Sequence, residues 1–164
     1  MINESMQKAI NEQINKELYS SYLYLSMSAY FETKNLAGFA KWLRMQAGEE
    51  LEHGMKFFEY VNERGGKVEL KAIAGVPTEW KGNLEVFKQV QEHEAAVTAS
   101  IHSLYEVALR EKDYASQVML QWFINEQVEE EKNAADIVQR LEMIDAKGNG
   151  VLMLDHELGK RGKE

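Results

Sequence analysis

Four glutamates interrupt the apolar faces of four predicted helices: Glu17, Glu50, Glu94 and Glu130. Each lies near the middle of a stretch whose apolar residues recur three and four positions apart, the spacing of a helix face that packs on partner helices. Because unpaired charges are costly to bury, four carboxylates at one level of a core require a cation between them. The pattern therefore predicts a metal-binding protein.

One of these glutamates belongs to a short motif that can hold an ion by itself. Glu50 and His53 lie three residues apart, which places both side chains on one helix face. Such pairs arise by chance in a chain rich in glutamate, so the motif gains weight only from the layer of four acids. A ligand set of many carboxylates and one imidazole favours iron or manganese. The carboxylates suffice for two ions, and Glu50 is the predicted bridge between them.

Two further residues on the same faces have candidate roles. Tyr24 lies two turns beyond Glu17, where its phenol can donate to a site ligand or supply an electron. A buried tyrosine that is merely hydrogen-bonded in the core is the alternative interpretation, and both stay open. Gln127 precedes Glu130 by one turn and can orient a metal-bound water or oxygen species.

Acidic residues also flank the layer, at Glu49, Glu126 and Glu129. They can form a second acidic layer for an accessory metal, or they can be ordinary solvated faces, and the sequence leaves both open. The remaining histidines have no convincing acidic partner at helical spacing, so we predict that they are surface residues. These are His93, His102 and His156.

The elements that must position these residues are five helices in a single domain, 1–164. The periodicity and the glycine signals predict helices over about 4–33, 36–64, 83–111, 114–145 and 151–159. Asn35, Asn83 and Asp113 are the expected N-caps of the second, third and fourth helices. Residues 147–150, KGNG, are expected to break the chain before the fifth helix.

The connections predict how the helices run. The short link near Asn35 makes the first two helices antiparallel, and residues 67–82 can span a long helix in extended form. The result is an all-α, up-down-down-up four-helix bundle with one long crossover and a short C-terminal helix. The apolar crossover residues are expected either at a subunit interface or packed on their own bundle: Val68, Leu70, Ile73 and Val76.

Composition excludes several classes of function. The formal charge of -8, without a basic stripe, argues against nucleic acid as a partner. The chain has no cysteine, which excludes disulfides, thiolate metal sites and rubredoxin-type iron centres. No apolar run is long enough to span a membrane, and the first residues lack the apolar core of a signal peptide. We expect a cytoplasmic protein with no membrane partner.

The motifs resemble those of bacterial non-haem ferritin across nearly the whole chain. The resemblance rests on ELYSSYLY at 17–24, EELEH at 49–53, HE at 93–94 and WFINEQVEEEK at 122–132. Each segment alone is weak evidence for the family, whereas the combination of all four is specific. The resemblance implies a ferritin-like di-iron domain.

The resemblance also implies a role for each site residue. Glu17, Glu50 and His53 would bind the first iron, and Glu50, Glu94 and Glu130 the second, with Gln127 adjacent. A third iron would lie among the flanking acids, which are Glu49, Glu126 and Glu129 together with Glu130.

Several features of the chain differ from those of related families and favour the non-haem ferritins. Where bacterioferritin would carry a ligating histidine, this chain has Glu130, and Glu52 stands where its haem-ligating methionine is expected. Met55 is nearby but at the wrong helical phase, so no haem is expected. Starvation-type mini-ferritins lack a fifth helix and fit less well.

The expected function is iron storage and detoxification. A ferroxidase centre would oxidise Fe(II) with O2 or H2O2, and the ferric oxo-hydroxide product would be stored inside a homo-oligomeric shell, of 24 subunits by resemblance. One alternative is a di-iron carboxylate oxidase or peroxidase that stores nothing. Another is a purely structural bundle whose acidic layer is protonated or hydrated.

Overall fold

A computed structural model describes residues 1–144 and 148–162 of the chain, and these residues form an all-α fold. Four long helices are followed by a short one, which confirms the predicted fold class. The helices are α1 (Glu4–Thr33), α2 (Ala37–Glu63), α3 (Asn83–Arg110), α4 (Tyr114–Met143) and α5 (Asn149–Leu158).

A long crossover sets the topology of the bundle. A tight turn makes α1 and α2 antiparallel, and α2 ends where Gly65 adopts a positive φ of 68°. The crossover then runs back along α1, where the Asn11 side chain donates to Lys67 O (2.9 Å) and accepts from Glu69 N (3.0 Å). Because it returns the chain to the starting level of α2, α3 runs parallel to α2. The short link to α4 completes the up-down-down-up order.

The apolar core is divided into two clusters by the buried polar layer. Aromatic stacking holds each cluster together, with ring centroids 4.9 Å apart for Phe31 and Phe39 and 4.0 Å apart for Phe57 and Phe123. The first cluster unites one half of the bundle with α5, through Val151, Leu154 and Leu158. The second occupies the other half and includes Met6, Ile10, Leu104 and Leu120.

The beginning of α2 corrects one prediction. Asn35 is not the N-cap, because it occupies the tight turn with a positive φ of 55°. The cap position belongs to Leu36, whose side chain cannot accept a hydrogen bond. Instead the Asp155 carboxylate of α5 accepts from Phe39 N at 2.9 Å. A residue distant in sequence therefore caps α2.

Other helix ends differ by one or two residues. Asn83 is the first residue of α3 rather than its cap, whereas Asp113 caps α4 as predicted and accepts from Ser116 N at 3.2 Å. Asp145, the predicted end of the fourth helix, lies outside the described residues, as does Lys147. The fifth helix starts at Asn149 instead of 151, and a Cβ on Gly150 would lie 2.9 Å from Ile144 Cγ2.

The crossover keeps part of its apolar surface exposed. Leu70 is 65% exposed and Ile73 is 44% exposed, although both belong to the segment that runs alongside α1. Val68 and Val76 are half-buried against the core clusters. Packing on the chain's own bundle therefore covers only some of the crossover's apolar side chains.

Among the described residues, no helix is both long and apolar enough to cross a membrane.

Candidate metal centre

The four glutamates predicted to share a layer are all buried between the two apolar clusters. Glu17, Glu50 and Glu94 are each 1% exposed, and Glu130 is 4% exposed. Each comes from a different long helix, and the apolar periodicity of that helix turns its carboxylate inward. The bundle therefore carries four acids in a region from which water is largely excluded.

Helices α1 and α2 together supply the first metal-binding group. Glu17, Glu50 and His53 offer ligand atoms that lie within 4.8 Å of one another. Glu17 Oε1 accepts from Gln13 Nε2 at 2.7 Å, and His53 Nδ1 lies 3.4 Å from Glu50 Oε2. Glu17 Oε2 and Glu50 Oε2 are buried and accept no hydrogen bond from any residue that the structure describes. Buried carboxylate oxygens without partners fit a site that a cation completes.

A second group shares His53 with the first. His53, Glu126 and Glu130 also offer ligand atoms within 4.8 Å of one another. The expected second set, Glu50 with Glu94 and Glu130, is not gathered in this way among the described residues. Glu94 belongs to neither group.

Glu94 accepts hydrogen bonds from two other buried residues. Tyr24 Oη donates to Glu94 Oε1, and Gln127 Nε2 lies 3.2 Å from Glu94 Oε2. The Gln127 amide also reaches Thr98 Oγ1 at 3.2 Å. Tyr24 thus donates to one of the four buried glutamates, and both interpretations of its role stay open.

Gln46 belongs to the site, although the sequence did not predict a role for it. Gln46 is 1% exposed, and its Nε2 donates to Glu50 Oε1 at 3.1 Å and Glu130 Oε2 at 2.8 Å. It thereby joins α2 to α4 across the layer. Its position one turn before Glu50, on the same helix face, is the signal that could have identified it.

A chain of hydrogen bonds connects Glu17 to the surface. Lys16 Nζ donates to Ser100 Oγ (2.7 Å), which donates to Gln13 Oε1 (2.6 Å), and Gln13 Nε2 donates to Glu17. All three donors point in one direction, so the lysine charge polarises the chain toward the carboxylate. The sequence did not predict that Gln13 and Ser100 contribute to the site, because the two residues lie on different helices and meet only in the folded bundle.

Burial and mutual repulsion raise the pKa of the site carboxyls. Desolvation, followed by the Glu50 charge, raises the pKa of Glu17 well above its ordinary value. The same two causes raise the pKa of Glu94 to about 8 and that of Glu130 to about 7. Without a cation the site therefore holds protons that a bound metal would displace.

The pKa values of His53 and Tyr24 are also shifted. Burial alone would lower the pKa of His53, but the adjacent Glu50 carboxylate raises it to about 9. Burial and the Glu94 charge raise the pKa of Tyr24 well above its usual range. The phenol therefore keeps its proton and acts as a donor to Glu94.

The flanking acids do not form one shared group. Glu126 joins His53 and Glu130, whereas Glu129 is exposed. Glu49 is half-buried, and its Oε2 accepts from Arg161 at 2.6 Å. Arg161, which follows α5, was not predicted to be near the site.

The histidines outside the motif are only partly as predicted. His102 and His156 are exposed, as expected. His93 is half-buried rather than exposed: its Nε2 lies 2.7 Å from Ser20 Oγ, and its ring packs edge-on against Tyr24. It had no acidic partner in the sequence because its partners are a hydroxyl and an aromatic ring of α1.

Comparisons with known proteins agree with this geometry. A family model for a ferritin-like domain matches residues 7–144. A bacterial non-heme ferritin of Bacteroides fragilis is 45% identical, over 98% of this chain and 100% of the relative. A probable bacterial non-heme ferritin-like protein of Haemophilus influenzae is 39% identical, over 97% and 96% of the two chains.

Solved structures give the same result. An open-pore ferritin of the hyperthermophilic archaeon Archaeoglobus fulgidus superposes with a TM-score of 0.97 at 50% identity, covering 98% of this chain and 99% of the other. A closed form engineered from that organism's ferritin gives a TM-score of 0.96 at 50% identity, with 98% of each chain covered.

Proposed function

The chain belongs to the ferritin family, and we propose that it is a ferroxidase that stores the iron it oxidises. The observation that carries this proposal is the group formed by Glu17, Glu50 and His53, in which two buried carboxylate oxygens accept no hydrogen bond from the described residues. Fe(II) is the substrate that supplies the missing positive charge. Oxygen-rich ligands with one imidazole suit this ion.

Each site residue has a proposed part in binding two iron ions. Glu17 and His53 bind the first, Glu130 and Glu94 bind the second, and Glu50 bridges them. Tyr24 and Gln127 donate hydrogen bonds to Glu94, which fix the orientation of its carboxylate. Gln127 then orients water or oxygen at the second ion, and Tyr24 keeps a donor directed at Glu94.

The proposed reaction is a two-electron oxidation. Two Fe(II) ions each lose one electron, and O2 takes both electrons with two protons to become H2O2. Where H2O2 is the oxidant instead, the same two electrons and two protons convert it to two waters. Carboxylates neutralise the added charge of Fe(III), and protons released from Glu94 and Glu130 on metal binding are available to the oxidant.

Storage requires a compartment outside the bundle, and we propose that it is the interior of a homo-oligomeric shell of 24 subunits. The exposed apolar residues Leu70 and Ile73 of the crossover support this, because a subunit contact would cover them. The ferric product leaves the centre and accumulates there as an oxo-hydroxide mineral. Neither haem nor a membrane has a place in this proposal, and the proposed location is the cytoplasm.

Aerobic addition of Fe(II) in steps to the metal-free protein tests the proposal. Storage predicts yellow-brown colour that stays in solution far beyond two irons per chain, in a particle of roughly half a megadalton by sizing chromatography. Saturation at two irons per chain would instead support a non-storage oxidase or peroxidase. No oxidation above the buffer rate would refute both metal functions.

A pair of variants on one helix tests the role of Glu50. E50A removes the proposed bridge and should slow the initial oxidation at least about a hundredfold, a typical loss when a group essential for positioning is removed. E52A removes an exposed acid two residues away and should oxidise Fe(II) as the wild type does. Equal rates for E50A and E52A would refute the bridging role.

A further inference from the structure

The segment that follows α5 brings a guanidinium to the rim of the metal centre. The Arg161 side chain is 19% exposed, and its Nη2 donates to Glu49 Oε2 at 2.6 Å and Gln46 Oε1 at 3.0 Å. Its Nη1 donates to Trp42 O at 3.2 Å, and the guanidinium lies 4.4 Å from the Trp42 ring centroid. Arg161 therefore makes hydrogen bonds to three residues of α2 and a cation–π contact.

Contacts of α5 with α2 fix the place from which Arg161 reaches the site. Asp155 caps α2 at Phe39 N, and Lys41 Nζ donates to Gly159 O at 3.1 Å. Gly38 permits this approach, since a Cβ at that position would lie 1.7 Å from Asp155 O. The chain leaving α5 is thus held against the first turns of α2, close to Arg161's partners.

The first consequence concerns the orientation of Gln46. An amide has one acceptor end and one donor end, and Arg161 occupies the acceptor end. The donor end is then directed at Glu50 and Glu130, where Nε2 makes both of its hydrogen bonds. Arg161 thereby influences the two carboxylates through Gln46, without touching them.

The second consequence concerns Glu49. Its carboxylate is already paired with a cation in a short, charge-assisted hydrogen bond. A metal ion that used Glu49 would have to displace this guanidinium or bind beside its positive charge. Either event weakens the binding of an additional cation among Glu49, Glu126 and Glu130.

We propose that Arg161 acts as an internal counter-cation, which hinders a third metal ion from binding among Glu49, Glu126 and Glu130 and orients Gln46 toward the two-metal site. This inference rests on the proposed function, because it concerns the regulation of the same centre. A third ion can bind tightly among these acids only after the segment that follows α5 is released. The number of ions that one chain binds tightly is therefore controlled by its C-terminal segment.

Calorimetric titration of the assembled, metal-free protein with Zn²⁺ tests the proposal without oxidation. The wild type should bind two ions per chain tightly, and R161Q should bind a third about tenfold more tightly than the wild type does. That factor is on the order of one charge-assisted hydrogen bond at a partly exposed site. R161K keeps the charge but cannot make the same set of hydrogen bonds, so its third ion should bind with intermediate affinity.

Matched variants separate the proposal from a general effect of charge. K160Q removes an exposed neighbouring cation and should titrate like the wild type. The double variant R161Q/E49Q should lose the third ion again, because the carboxylate that Arg161 released is gone. A third ion that binds equally in the wild type, R161Q and R161K would overturn the proposal, as would a gain in K160Q equal to that in R161Q.

The same titration distinguishes this inference from the proposed function. If the wild type binds no ion at the centre, the proposed function fails. If it binds at least two and the Arg161 variants change nothing, only the inference fails. Should R161Q not fold, R161K still decides, since equal third-ion affinity in R161K and the wild type contradicts the role of the guanidinium.

Discussion

Replacing Glu94 with glutamine should stabilise the metal-free protein, and increasingly so as the pH rises. Glu94 has a pKa of about 8 in the folded chain, against an ordinary value of 4.5. The folded state therefore keeps a proton that the unfolded state loses. A carboxyl with a raised folded pKa contributes fully to stability below its unfolded pKa, and that contribution disappears as the pH rises toward the folded value.

The two pKa values set the size of the effect. One pKa unit corresponds to ~1.4 kcal/mol, so ionisation of Glu94 lowers the free energy of unfolding by about 4 kcal/mol at pH 8 and about 1 kcal/mol at pH 5. E94Q removes this dependence. Its amide, like the protonated carboxyl, presents one acceptor and one donor, so the substitution keeps most hydrogen bonds of the neutral form. The advantage of E94Q should therefore grow by ~3 kcal/mol between pH 5 and pH 8.

Urea unfolding of metal-free protein, followed by circular dichroism at several pH values, measures this difference. E92Q removes an exposed charge from the same helix and should keep the wild-type pH dependence. All three proteins are compared at one concentration, because self-association adds to apparent stability. Zn²⁺ at pH 8 should stabilise the wild type more than E94Q, since it replaces the proton. If E94Q and E92Q depend on pH in the same way, the assignment of the raised pKa to buried Glu94 is refuted.

Three further changes test other parts of the structure. G38A places a Cβ 1.7 Å from Asp155 O and should detach α5 from α2. Limited proteolysis should then cleave the C-terminal segment at least about tenfold faster. Resistance equal to that of the wild type would contradict the contact between α5 and α2. F57A removes a ring stacked 4.0 Å from Phe123, and the free energy of unfolding in urea should fall by about 3 to 5 kcal/mol; a loss below ~1 kcal/mol would show that the second cluster refills the space. L70E/I73E places charge on the exposed crossover and should release smaller species on sizing chromatography, whereas an intact assembly would rule out the crossover as a subunit contact.

The sequence predicted those features that depend on periodicity along one helix. Glu17, Glu50, Glu94 and Glu130 interrupt regular apolar faces, and helix geometry alone brings such interruptions to the inside of a bundle. The long crossover and the short links then determine the order of the helices. His53 followed from its spacing to Glu50, which is also a property of a single helix.

Features that depend on contacts between distant segments could not be predicted. Asp155 caps α2 from more than a hundred residues away, so the nearest polar residue, Asn35, was mistaken for the cap. Arg161 reaches Glu49 only because α5 docks on α2. Glu94 accepts hydrogen bonds from Tyr24 and Gln127, and the periodicity of a single helix does not predict these contacts.

The division of the core by a polar layer has a consequence for cooperativity. The two apolar clusters lie on opposite sides of a layer of buried polar groups, so little packing energy joins them across the middle of the bundle. In the metal-free chain the two halves should therefore open as separate units, with different hydrogen-exchange protection. Under the proposed function, two bound ions together would link the four long helices at one level and make the halves unfold together. In that case the substrate would serve, while it is bound, as the central cross-link of the bundle.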